Sequence, residues 1–327
     1  RAARAPSPCA HVEPAGASRD GLGGHPVLIR RLLRTVVLLV CLSLGSTALH
    51  ARTELDFGVY SARPKALVEA SWQPFVDYLN QHLDGVEVRL HALDDAGLQR
   101  ALAAGEIDLL LTNPVHFIEL RASNPLSGAI ATVVADAGGQ ALSEFGGVIL
   151  VRAGDASLKT LADLRGRRVG TTHANFLATY PAQALEMKAA GIDPGSLRMF
   201  TLQQTQDSVV EAVLDGRVDA GFVRTGLFEA LVAEGRDLSG LRVLHPLQHP
   251  GFPLRSSTRL YPEWPLVALR QADPALMRKV AALALGLETA DPAARAAGIH
   301  GFTIPADYAR VEEMLRELRL PPFDATP

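Results

Sequence analysis

Two stretches of this chain follow one pattern. Residues 101–114 read ALAAGEIDLLLTNP, and residues 212–225 read AVLDGRVDAGFVRT. Each is the end of a helix, a glycine, a short apolar run and a polar corner. Gly216 matches Gly105, Val218 matches Ile107 and Asp219 matches Asp108. A glycine just after a helical run supplies the left-handed residue that ends a helix. An unbroken apolar run is the signature of a strand covered on both faces. Open sheets of such strands place ligands at their carboxyl ends. The pattern therefore predicts two α/β halves with polar groups at a strand end, Thr112 and Asn113 in one, Arg224 and Thr225 in the other. A ligand held between the halves is the expected arrangement. Any capped helix leading into a buried strand looks similar, so the rest of the chain has to decide.

Periodicity predicts a strand at residues 55–60 ending in Tyr60, a helix at 65–83, a strand at 86–90, a helix begun by Asp94 and Asp95, and the strand 107–111. This β-α-β-α-β order with short links gives a parallel sheet with helices on its faces. Further strands are expected at 130–135, 145–152, 167–171, 241–244 and 266–269. Helices are expected at 115–121, 181–190, 208–214, 228–234, 274–287 and 306–318. The runs near 145–152 and 241–247 are read as crossings between lobes. Residues 144–245 then form a second lobe inserted into a first lobe made of 54–143 plus 246–323.

With 48% hydrophobic and 20% charged residues the chain is globular, and 327 residues leave room for two domains. Residues 1–29 are rich in Ala, Pro, Gly and Arg without periodicity, and read as a disordered or mis-annotated leader. Residues 30–51 carry a basic start, a ten-residue apolar run and small residues, which is the pattern of a signal peptide. Cleavage is expected after Ala48 or Ala51; uncleaved, the segment would be an N-terminal membrane anchor. Cys9 and Cys41 are the two cysteines, so no internal disulfide or cysteine metal site is expected beyond them. Six arginines lie in the first 34 residues of a chain with 32 basic and 35 acidic residues, so the remainder is net acidic. That argues against a nucleic-acid partner, which needs a basic face. No cofactor or hydrolase fingerprint is present, and no nucleophile–base pair points to an enzyme.

With these residues in view, the chain resembles a type-2 periplasmic solute-binding protein of the phosphonate-binding kind. The resemblance rests on Val59-Tyr60, the Gly-x-Ile-Asp strand ending in Thr112-Asn113-Pro114, LKTLADLRGRRVG at 158–170, and Gly216-x-Val-Asp with Val223-Arg224-Thr225. STRLYPEWP at 257–265 is similar to the periplasmic sensor domain of tetrathionate-sensor-type histidine kinases. The resemblance implies a two-lobed α/β fold, each lobe a mostly parallel sheet flanked by helices, with the ligand cleft between them. It implies a periplasmic protein that binds a small, anionic ligand and signals to a membrane histidine kinase. The alternative is the substrate-binding component of a phosphonate-type ABC transporter, with a permease as partner. In such transport proteins a Ser/Thr/Gly run at a helix N-terminus receives the phosphonate oxygens. Here that loop reads THANFLAT at 172–179, which favours a different anion or a less polar ligand. The residues given show no ATP lid, so no kinase activity is expected of them.

The candidate ligand-binding residues are Tyr60, Asn113, His116, Thr172, His173, Asn175, Arg224 and Thr225. Tyr60 offers an aromatic face and a hydroxyl, or is a core tyrosine. Asn113 offers a donor and an acceptor, or shapes the turn before Pro114. His116 follows one turn on. Thr172, His173 and Asn175 open the second-lobe helix as ligands or as caps. Arg224 ends a buried strand, where a guanidinium wants an anionic partner. That partner is the ligand, or else a structural acid such as Asp219 or Glu229.

Overall fold

The computed structural model describes residues 53–324 except 62–63, 124–127 and 203–204. The expected leader and signal peptide lie outside the described residues. Among the described residues, no helix is long and apolar enough to cross a membrane.

The chain runs β1 (Thr53–Tyr60), α1 (Lys65–His82), β2 (Val86–Leu93), α2 (Asp95–Ala104), β3 (Leu109–Leu111), α3 (Pro114–Ser123) and β4 (Gly128–Asp136). It continues through β5 (Gly147–Arg152), β6 (Arg168–Thr171), α4 (Pro181–Ala189), β7 (Arg198–Thr201), α5 (Gln206–Leu214), β8 (Ala220–Arg224), α6 (Leu227–Ala233) and β9 (Leu241–Leu244). It ends with β10 (Pro265–Ala268), α7 (Pro274–Leu285), α8 (Pro292–Ala297), β11 (Ile299–Thr303) and α9 (Ala309–Leu318).

The repeated pattern folds the same way twice. Asp94 starts α2 by accepting from Gly97 N–H at 2.7 Å, and Gly105 ends it at φ 67°. Gly216 follows α5 at φ 72°. The aspartate of each copy then clamps the neighbouring strand. Asp108 N–H donates to the Asp56 carbonyl at 2.9 Å, while Asp56 N–H donates back to Asp108 Oδ2 at 3.1 Å. Asp219 does the same with Arg168, at 2.8 and 2.9 Å. Gly-x-Ile-Asp and Gly-x-Val-Asp thus register a strand against its parallel neighbour at the point where pairing begins.

One sheet has the order β11-β4-β10-β3-β1-β2, with the short strand Ala141–Leu142 beside β4; the other has the order β9-β5-β8-β6-β7. Parallel pairing is confined to β2-β1-β3 in the first and β8-β6-β7 in the second. The expected mostly parallel sheets are therefore mixed. β4, β10 and β11, like β5 and β9, pair antiparallel. Along β5, Val148 and Leu150 join one core with α5, while Ile149 and Val151 join another with Leu158, Leu161 and Met187. Covering on both faces explains its unbroken apolar run.

The sheets meet at a seam of buried hydroxyls. Phe145 and Glu144 pair with Tyr261 and Pro262. Gly147 N–H donates to Thr258 Oγ1 at 2.8 Å and Ile149 N–H to Ser257 Oγ at 2.9 Å. Ser257 Oγ in turn donates a hydrogen bond to the Leu244 carbonyl at 2.7 Å. Arg259 adds an ion pair to the mostly buried Glu186 of α4 at 2.8 Å. The sensor-like stretch of the sequence is thus the joint between the sheets.

Ser257→Ala would strand the Ile149 N–H and the Leu244 carbonyl, both buried. Each orphaned group costs ~1–3 kcal/mol. Urea unfolding should show a lower midpoint at an unchanged m-value; a wild-type midpoint would show that Ser257 is not the partner these groups depend on.

Candidate functional site

The ends of β1, β3, β6 and β8 carry the residues singled out from sequence. Tyr60 closes β1, is almost fully buried, and donates from its hydroxyl to Asp95 Oδ1 at 2.7 Å. Its ring lies 4.1 Å from that of His116. Asn113 Oδ1 accepts from Val115 N–H at 3.0 Å and so starts α3. Its amide NH2, a donor of two hydrogen bonds, is the part that would serve an anion. The neighbouring Thr112 Oγ1 is buried without a hydrogen-bond partner among the described residues.

The His116 side chain is 10% exposed. Its Nε2 lies 3.3 Å from Asn175 Nδ2, 3.8 Å from Asp95 and 3.9 Å from Glu119. Accepting from the Asn175 amide puts the ring proton on Nδ1, which is buried without a partner. Burial pushes the His116 pKa down to about 4, against the pull of Asp95. Glu119 is pushed up to about 7 by burial, with Asp95 and Asp324 adding to the effect. At neutral pH the imidazole is therefore neutral, and Thr112, Asn113 and His116 gather three donor-capable groups at one corner.

From the second lobe comes the loop between β6 and α4. Thr171 Oγ1 donates to the Thr179 carbonyl at 2.6 Å, and Thr179 Oγ1 donates to the carbonyls of His173 and, at 3.1 Å, Phe176. These bonds fold the loop back on itself, with Thr172 buried in it. His173, its pKa lowered by burial, stacks on Phe176 at 4.8 Å. Phe176 reaches across to Tyr60, 5.4 Å away, and to Trp264, 6.3 Å away.

At the end of β8, Arg224 Nη2 donates to Glu263 Oε1 at 2.9 Å, and its guanidinium lies over the Phe145 ring. The Arg224 side chain is 40% exposed and that of Glu263 is 4% exposed. Burial raises the Glu263 pKa, and Arg224 opposes the rise. Thr225 is engaged structurally: its N–H donates to the Gly146 carbonyl at 2.9 Å and its Oγ1 accepts from Gly146 N–H at 3.2 Å. Asp219 and Glu229, the acids proposed from sequence as partners of Arg224, pair with Arg168 and Arg255 instead.

The structure thus brings together Tyr60, His116, His173 and Asn175, with Asn113 at the start of the His116 helix. Thr172 lies in the loop behind, and Arg224 is oriented by Glu263. Sequence reasoning placed Thr112 at the strand end without counting it among the ligand-binding residues, and missed Asp95, Phe176, Glu263 and Trp264. Glu263 and Trp264 lay inside the sensor-like stretch 257–265, and Phe176 was visible as a bulky departure in the loop. No group of His, Cys, Asp or Glu that could hold a metal occurs among the described residues.

The family model of the periplasmic substrate-binding protein of phosphonate ABC transporters matches residues 57–309. The chain is 29% identical over 275 residues to the tetrathionate sensor histidine kinase of Salmonella typhimurium, covering 82% of this chain and 44% of that protein. It thus spans less than half the length of that curated relative. Among solved structures, a Xanthomonas citri protein bound to ATP superposes with a TM-score of 0.65 at 18% identity, over 82% of this chain and 98% of that one. PhnD1 of Prochlorococcus marinus in complex with methylphosphonate gives 0.62 at 16% identity, over 82% and 99%. These likenesses establish the fold.

His116 and Glu119 titrate with opposite consequences. Between about pH 4 and 6.5 the unfolded chain holds more protons at His116 than the folded one, so this residue makes stability rise with pH. Between about pH 4.5 and 7 the folded chain holds more protons at Glu119, so that residue makes stability fall as pH rises. Glu119→Gln should unmask the first slope and His116→Asn the second, read from urea unfolding at pH 5 and pH 7. Parallel slopes in both variants would contradict the assigned environments.

Proposed function

We propose, from the premise that this chain belongs to the phosphonate-binding family of periplasmic substrate-binding proteins, that it closes over a small anion between its lobes and reports the closure to a membrane histidine kinase. Residues 144–245 would move as the inserted lobe against 54–143 plus 246–323. The family is periplasmic, and export through residues 30–51 is part of the same reading. The observation that carries it is the corner at Thr112, Asn113 and His116, where the Thr112 hydroxyl and His116 Nδ1 are buried without partners next to the Asn113 amide at the end of a buried strand. Arg224 completes the set. It has five N–H donors in a rigid fork, and Glu263 takes one at the distance given above.

Tetrathionate is the ligand this reading favours. The sensor kinase that shares most of this chain's length is named for it. Its two sulfonate ends accept hydrogen bonds, and its sulfur chain is polarizable and suited to aromatic faces such as Tyr60, Phe176 and Trp264. A second reading, uptake of a phosphonate through an ABC permease, is favoured by the family model itself. Its ligand would use the same donors.

Isothermal titration with tetrathionate, methylphosphonate and sulfate separates the readings. Tetrathionate should bind more tightly than methylphosphonate. Arg224→Lys should weaken binding by ~1.5–3 kcal/mol, the worth of a hydrogen bond to a charged group. Asn113→Asp keeps the acceptor that starts α3 but replaces the donor, so anion affinity should fall at least about tenfold, or ~1.4 kcal/mol. Wild-type affinity in both folded variants would remove this site from the account.

A further inference from the structure

Phe176 stands where the lobes meet. It belongs to the second-lobe loop, yet its ring lies 5.4 Å from Tyr60, 6.1 Å from His116 and 6.3 Å from Trp264, all three on the first lobe. On its own side it stacks on His173 at an interplanar angle of 25°. The backbone under the ring is fixed, because Thr179 Oγ1 and Thr179 N–H both donate to the Phe176 carbonyl at 3.1 Å. Four rings from two lobes therefore converge on one side chain.

We infer that Phe176 is the specificity-determining residue of the cleft: its ring fills the aromatic chamber between the lobes and excludes anions that carry a ring of their own. The inference rests on the cleft being the binding site. A ligand that enters beside Phe176 has to lie along ring faces and place its charged ends at the donors. Removing the phenyl group would leave a ring-shaped space walled by Tyr60, His116, His173 and Trp264. Phe176, His116, His173 and Trp264 are only partly buried, so this space would open to solvent and admit a flat ring from it, held by ring-on-ring contact.

The test compares wild type, Phe176→Ala and Phe176→Leu, using benzene, benzenesulfonate and tetrathionate as probes. Circular dichroism melts first establish that each variant folds. Phe176→Ala should bind benzene, read as a rise in melting temperature, while wild type and Phe176→Leu should not. It should also bind benzenesulfonate at least about tenfold more tightly than wild type does. Trp264 provides a readout that needs no ligand. In a Trp72→Phe background it is the sole tryptophan, and its fluorescence should be quenched more by acrylamide once Phe176 is Ala. Benzene bound without benzenesulfonate supports the chamber and places the failure in the anion reading. A folded Phe176→Ala variant that takes up neither probe and leaves Trp264 quenching unchanged overturns the inference, as does equal uptake by Phe176→Leu.

Discussion

The arrangement of the two sheets depends on a few buried hydroxyls. Where the chain passes between sheets, the N–H groups of Gly146, Gly147 and Ile149 take their partners from Thr225, Thr258 and Ser257. Buried backbone polar groups are almost always paired, so these short side chains stand in for a missing strand. The crossing is also tight. A Cβ on Gly146 would sit 2.7 Å from Thr258 Oγ1, and one on Gly147 would sit 2.3 Å from the Gln183 amide nitrogen. Glycine at both positions is what lets the strand come close enough for the hydroxyls to reach. Arg259 then ties the seam to Glu186 on α4. Because α4 begins just after the Phe176 loop, the joint and the cleft are connected through one helix.

The cleft holds its ionisable groups in compensated form. Glu263 is fully buried and raised by burial, and Arg224 is its counter-charge. His116 is neutral near Asp95 and Glu119. Under the proposed function an anion would meet neutral N–H and O–H donors and the remaining fork of one guanidinium, with the Asp95 carboxylate turned to the Tyr60 hydroxyl. In the closed, dehydrated cleft that the proposed function calls for, such donors would count for more than they do in water. Glu263 holds the guanidinium in place, so under the proposed function the charge that would attract an anion is positioned before the anion comes.

What the sequence revealed was local. Gly105 and Gly216 end helices, and Asp94 begins one, because caps are written in neighbouring residues. The α/β class and the two-lobed fold followed from the repeated pattern and the resemblance. The matched aspartates, Asp108 and Asp219, were visible as a pair, but their clamp on Asp56 and Arg168 needs the neighbouring strand. Arg224 was rightly expected to seek an acid or an anion. Its acid, Glu263, lies 39 residues away, beyond any local rule. The antiparallel pairs depend on which distant strands become neighbours, as β4 does with β10 and β11, and no periodicity encodes that. Phe176 drew notice for its bulk, yet its meeting with Tyr60, His116 and Trp264 exists only once both lobes are folded.

A crystal structure of the protein grown with tetrathionate tests the central claim most directly. The account predicts the anion between the lobes, one end hydrogen-bonded to the Asn113 amide and His116 Nδ1, the other to Arg224, with its sulfur chain against Tyr60 and Phe176. An anion bound outside the cleft, with Arg224 engaged only by Glu263 and the Thr112–His116 corner untouched, would contradict it.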